Sequence, residues 1–158
     1  MKKMSLLILL ISFTFTTTYE SSIVSGDLLF EAHRIVFYQE IKGKDFSEDL
    51  LIQCLYFEGI QHPDIVIRQA RLETGNYTSE LFWCANNVFG MKFPRVRETT
   101  AIGIYKRHAR FEHWSDAVKD YKLWQEYYIQ KGYSPDDYYL FLVAIGYATD
   151  KNYIKKIS

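Results

Sequence analysis

The chain has 158 residues, 48% hydrophobic and 24% charged, which places it among ordinary globular proteins and excludes disordered and fibrous classes. Lys+Arg 19 balance Asp+Glu 19 for a formal net charge of +0, so no global field draws it to nucleic acid or to an anionic membrane surface. Two cysteines cannot build a disulfide scaffold and no spacing of metal-ligand type occurs, so neither a metal nor a cofactor is expected.

Met1-Lys2-Lys3-Met4 precedes an apolar run from Leu6 to Phe15 and then a polar stretch of threonines and serines. This is the pattern of a secretory signal peptide, expected over residues 1–21 and followed by one domain over 22–158. The run is about ten residues, too short for a bilayer that needs roughly 20, so no stable membrane span is expected. Export to the periplasm or the exterior follows. Cys54 and Cys84 would then meet a compartment where a bridge can persist, although both fall in apolar helical patterns that suit free buried thiols equally well.

Asp27 precedes Leu28, Leu29, Ala32, Ile35 and Val36 at helical spacing, and Asp45 with Glu48 has the form of a capping box before Leu50, Leu51, Cys54 and Leu55. Pro63 starts a third helix and Gly75 stops it, because proline suits a first turn and glycine suits the residue past the last. Residues 91–111 break the helical pattern. They hold Pro94, Gly103 and the β-favouring piece Ala101 to Tyr105, and predict a small hairpin. Beyond them Trp114, Ala117, Val118, Tyr121, Trp124 and Tyr128 recur at three-and-four spacing, and Ser134-Pro135-Asp136-Asp137 caps a further helix through Leu140, Leu142 and Val143.

One residue is out of keeping with this pattern. On a wheel of about 100° per residue, Asp64, Arg68 and Arg71 share a polar arc, while Ile65, Val66, Gln69, Ala70 and Leu72 cover the opposite one. Glu73 falls in the middle of the apolar arc. A carboxyl there loses hydration and also meets the negative end of the helix, and both effects favour its protonated form. An acid that keeps its proton near neutral pH can donate it to a leaving oxygen. The alternative is that Glu73 caps the amides of the turn from Gly75 to Ser79, or pairs with an arginine.

Four blocks then carry a resemblance. Gln69-Ala70-Arg71-Leu72-Glu73-Thr74-Gly75, Asn86-Asn87-Val88-Phe89-Gly90-Met91-Lys92, Trp114 to Tyr121, and Gly146-Tyr147-Ala148-Thr149-Asp150-Lys151-Asn152-Tyr153 stand in the order seen in bacterial endo-β-N-acetylglucosaminidases. The chain thus resembles the flagellar-type and autolysin-type peptidoglycan hydrolases of glycoside hydrolase family 73 over roughly residues 50–156. The resemblance implies an α+β, mainly α, lysozyme-like fold, with a helical lobe and a small β-hairpin lobe around a glycan groove. It implies hydrolysis of the bond after N-acetylglucosamine in peptidoglycan strands, the expected partner of a monomeric enzyme. Glu73 matches the catalytic acid. Asn87, Phe89, Tyr105, Tyr147 and Asp150 are the candidate substrate-binding residues.

Many members place a second glutamate in the β lobe, and here Glu98 is the acid that falls there, among Arg95 and Arg97. Three routes are open on the sequence: Glu98 directing water with inversion, the substrate's own acetamido group attacking with retention, or Glu73 acting almost alone beside tyrosine hydroxyls. Lys92, Arg95, Arg97, Lys106, Arg107 and Arg110 give the same lobe six cations, which suit either the carboxylates of peptidoglycan stems or a solvated face. Muramidase or lytic transglycosylase activity on the same polymer, or a non-catalytic wall-binding module, are the alternatives.

Overall fold

The computed structural model describes residues 28–148, 150 and 152–158, so the expected signal peptide and Asp27 lie outside the described residues. The chain divides into two compact units between Lys44 and Asp45. In the first, residues 28–42 form helix α1, on which Leu28, Leu29, Ile35 and Val36 are exposed. The second is mainly helical with one small sheet. Its order is α2 (Glu48–Phe57), α3 (Pro63–Thr74), α4 (Glu80–Ala85), β1 (Gly103–Tyr105), β2 (His108–Arg110), α5 (Trp114–Gln130), α6 (Tyr138–Ala144) and α7 (Tyr153–Ile157).

Helix α2 begins two residues later than the Asp45 pattern suggests, with the Ser47 hydroxyl accepting from Leu50 N at 3.2 Å. Glu48 is drawn into a long-range pair instead. Its carboxylate accepts from Arg71 Nε and Nη2 at 2.8 and 2.5 Å and from the Tyr77 hydroxyl at 2.7 Å, tying the start of α2 to the end of α3. Leu51, Cys54 and Leu55 of α2 and Ile65, Val66 and Ala70 of α3 are buried, as are Ala117, Val118 and Tyr121 of α5. Asp137, rather than Ser134, caps α6, accepting from Tyr139 N and Leu140 N at 3.1 Å.

The expected hairpin is present. β1 and β2 pair antiparallel with Tyr105 opposite His108, and the two-residue turn places Lys106 and Arg107 at positive φ, as a right-twisted ribbon requires. Backbone bonds from Ala109 N to Met91 O and from Phe111 N to Ala85 O, both 2.9 Å, tie β2 to the segment around Asn87. Both cysteines are free thiols, Cys54 buried and Cys84 exposed. Burial pushes the Cys54 thiol up to about 12.

Candidate active site

Helix α3 ends where Gly75 turns left-handed (φ 57), with Gly75 N returning to Leu72 O and Asn76 N to Arg71 O. The Thr74 hydroxyl donates to Ala70 O at 2.6 Å and accepts from Tyr77 N at 2.8 Å. Thr74 therefore does the capping that Glu73 was weighed for, and Arg71 is committed to Glu48. The Glu73 carboxyl is left to face a cleft.

That cleft has a volume of about 340 Å³ and Glu73 lies in its lining. Gly90 closes one side of the carboxyl. Its φ is +64, and a Cβ added there would stand 2.8 Å from Glu73 Oε2, so any other residue would strain the backbone and push the carboxyl aside. Burial pushes the Glu73 carboxyl above its ordinary value, while a hydrogen bond from the Tyr153 hydroxyl and the charge of Lys92 pull it partly back. Burial likewise pushes the Tyr153 and Tyr147 hydroxyls upward, keeping both neutral donors near physiological pH.

The walls come from two regions. Lys92, Phe93, Arg95, Val96 and Arg97 supply one, and Trp124, Tyr127, Tyr128 and Tyr147 supply the other. Tyr147 donates to Phe89 O at 2.9 Å and meets Trp124 edge-on at 5.2 Å, so this tyrosine couples the second wall to the floor. Arg97 faces inward to Asp120, at 3.0 and 2.7 Å, with the Thr99 hydroxyl adding a 2.6 Å bond to the same carboxylate. The pair pins the first wall to α5. Arg95 has no hydrogen bond or ion pair among the described residues and remains exposed at the cleft.

The remaining sequence candidates take other places. Asn87 is fully buried and its amide holds a loop closed: Nδ2 donates to Met91 O and Ala109 O at 2.9 and 2.8 Å, and Oδ1 accepts from Met91 N at 2.9 Å. Phe89 contributes to the lining, while its ring packs on Tyr121 at 4.5 Å. Tyr105 donates to Glu80, which also pairs with Lys106. Asp150 pairs with Lys156 at 2.7 Å and accepts from Asn152 N at 2.8 Å, ahead of α7. Glu98 is exposed and stands outside the cleft lining, as do Tyr105 and Asp150.

Two residues given no separate role on the sequence prove to matter. The Tyr153 hydroxyl acts on the acid itself, lowering the Glu73 value against the effect of burial. Gln69 stands one turn before Glu73 and is fully buried, donating to Tyr153 at 3.1 Å. An uncharged amide on the apolar arc, four residues from the acid, was the available signal. No group of three or more potential metal ligands occurs among the described residues.

Residues 49–158 match the family model named Glucosaminidase, described as mannosyl-glycoprotein endo-beta-N-acetylglucosaminidase. No curated protein and no solved structure gives a significant match to the chain.

Proposed function

The chain belongs to the glucosaminidase family, a family of endo-β-N-acetylglucosaminidases among the glycoside hydrolases, and on that premise we propose that it cleaves peptidoglycan after N-acetylglucosamine with Glu73 as general acid. The observation that carries this reading is the desolvated Glu73 carboxyl in the lining of an open cleft. A carboxyl kept protonated by burial can donate to the glycosidic oxygen as the bond breaks. Lys92 and Arg95 in the same lining favour an acidic glycan, whose lactyl and stem-peptide carboxylates they would attract, over a neutral one. Export rests on the N-terminal pattern.

Among the described residues of the lining, Glu73 is the one carboxylate. This favours the two routes that need no second protein acid: attack by the substrate's acetamido group, or Glu73 acting almost alone beside the Tyr153 hydroxyl. The anomer of the first-formed product, read by proton NMR before mutarotation, separates retention from inversion.

Mass spectrometry of digested sacculi tests the activity. Wild type releases fragments with reducing N-acetylglucosamine ends, and Glu73→Gln releases none while keeping the wild-type circular dichroism spectrum. Reducing muramic acid ends or anhydro-sugars would assign a different bond. Undiminished cleavage by Glu73→Gln would remove the acid assignment. A mannosyl glycoprotein serves as the neutral comparison, and faster cleavage of it than of sacculi would overturn the choice of polymer.

A further inference from the structure

Behind the acid, a line of hydrogen bonds runs through the core, and its direction can be assigned bond by bond. Gln125 Oε1 accepts from Gln61 N at 2.9 Å, and its Nε2 donates to Gln61 O at 3.1 Å. A backbone N–H can only donate, so the orientation of this amide is settled. Gln125 Nε2 therefore also donates to the Tyr138 hydroxyl, at 2.7 Å. The Tyr138 and Tyr121 hydroxyls lie 2.7 Å apart, and Tyr121 donates to Gln69 Oε1 at 2.7 Å. The proton between the two tyrosines must then come from Tyr138. Gln69 Nε2 donates in turn to the Tyr153 oxygen at 3.1 Å, which leaves the Tyr153 proton for Glu73.

The opposite direction fails. If Tyr153 donated to a flipped Gln69, then Gln69 would donate to Tyr121 and Tyr121 to Tyr138. The Tyr138 oxygen would accept from both sides, and its own proton, in a side chain only 1% exposed, would have no acceptor in the line. Gln69, Tyr121 and Gln125 are similarly enclosed, at 0–1% exposure, so water does not readily rescue a reversed line.

We propose that Gln69, Tyr121, Tyr138 and Gln125 are positioning residues that form a polarised donor relay. Its direction, set at Gln125, aims the Tyr153 proton at Glu73 and so fixes the pH range over which Glu73 keeps its own proton. A donor aimed at the carboxylate stabilises the ionised form, so the relay opposes burial. Without it the acid would hold its proton to higher pH and surrender it less readily to a sugar oxygen. The other groups that act on Glu73 are Lys92, from the loop after Gly90, and Tyr147, whose hydroxyl is committed to Phe89 O. Neither belongs to the relay.

The inference rests on Glu73 being the acid, and its test reads the carboxyl whether or not a glycan is cleaved. The Glu73 side-chain carboxyl carbon is titrated by carbon-13 NMR in wild type, Tyr153→Phe, Tyr121→Phe and Tyr138→Phe, beside the pH profile of kcat/KM. Tyr153→Phe removes the donor that touches Glu73 and is expected to raise the midpoint by about one pH unit, the range of a hydrogen bond to a charged group. Tyr121→Phe and Tyr138→Phe, which do not touch Glu73, are expected to raise it by a smaller amount in the same direction, with the basic limb of kcat/KM moving alongside. Tyr138→Phe keeps its stacking on Phe141 and suffices alone if Tyr121→Phe does not fold. Lowered thermal stability in the remote variants with an unmoved Glu73 midpoint would overturn the relay, even if Tyr153→Phe shifts it. A shifted midpoint with no cleavage of any glycan by wild type would leave the relay standing and remove the enzyme reading.

Discussion

Gly90→Ala separates a backbone cost from a catalytic one. At φ +64 an alanine pays about 1–2 kcal/mol for the left-handed conformation wherever it stands. Gly59 has nearly the same φ, +62, but its nearest outside atom would be Lys122 Nζ at 4.0 Å, so Gly59→Ala isolates that cost. At Gly90 the new methyl would also lie 2.8 Å from Glu73 Oε2, and ordinary contact begins near 3.4 Å, so the carboxyl must retreat by about 0.6 Å (3.4 − 2.8). The carboxyl ends a side chain that can swing, so the retreat costs little stability and appears in catalysis. A 1 Å misplacement of a reacting group can cost about 10²-fold, which puts the expected loss in kcat/KM at roughly 10- to 100-fold. Urea unfolding and kcat/KM on solubilised glycan strands are measured for both variants. The two are expected to lose similar stability while only Gly90→Ala loses activity. If Gly90→Ala keeps kcat/KM within about twofold of Gly59→Ala, the contact does not position the acid.

Other outcomes follow from the same geometry. Glu98→Gln is expected to retain near-full kcat, because Glu98 is exposed and outside the cleft lining; a loss approaching that of Glu73→Gln would restore it as a second acid. Arg97→Ala strands the Asp120 carboxylate, whose side chain is 0% exposed, and is expected to cost about 3–5 kcal/mol in urea unfolding. A loss under about 1 kcal/mol would mean that water relieves the charge. Glu73→Gln is expected to stabilise the protein near neutral pH. Burial raises the Glu73 value in the folded state, so the unfolded chain ionises first as pH climbs past 4.5, and wild-type stability falls until the folded carboxyl ionises too. The gain in melting temperature is therefore full at and above the raised folded value and vanishes below pH 4.5, where both states hold the proton. A gain that is independent of pH would contradict that origin.

Local chemistry was legible in the sequence where a single element carries it. Pro63 and Gly75 bracket α3 where expected, and the wheel places Glu73 against the interior because Ile65, Val66 and Ala70 define the buried face. The hairpin and the long α5 follow from their patterns. What stayed hidden depends on partners far along the chain. Asp45 and Ser47 are both good caps, and Arg71, 23 residues away from Glu48, draws Glu48 out of the capping role. Glu98 directly follows Arg97 in sequence, yet Arg97 directs its guanidinium to Asp120, also 23 residues on. Asn87 reads as a turn former, and only the approach of β2 turns its amide into a buried latch.

The division of labour in the cleft follows from how each part is held. The acid sits on the last turn of a helix to which the following turn is tied back, Gly75 N and Asn76 N donating to its last carbonyls and Tyr77 N to the Thr74 hydroxyl. The facing Gly90 sits in a loop locked by three hydrogen bonds of a fully buried Asn87. These fixed supports can keep a desolvated carboxyl in place despite its cost in stability, because neither can relax without breaking buried bonds. The wall from Lys92 to Val96 is different. Phe93 and Val96 are 38% and 75% exposed and Arg95 is without a partner among the described residues, so little holds these side chains in one arrangement. Proton transfer requires the first kind of support, and contact with a bulky, variably substituted glycan is better served by the second. Substitutions in the wall should therefore move KM and substrate preference, whereas those in the floor should move kcat.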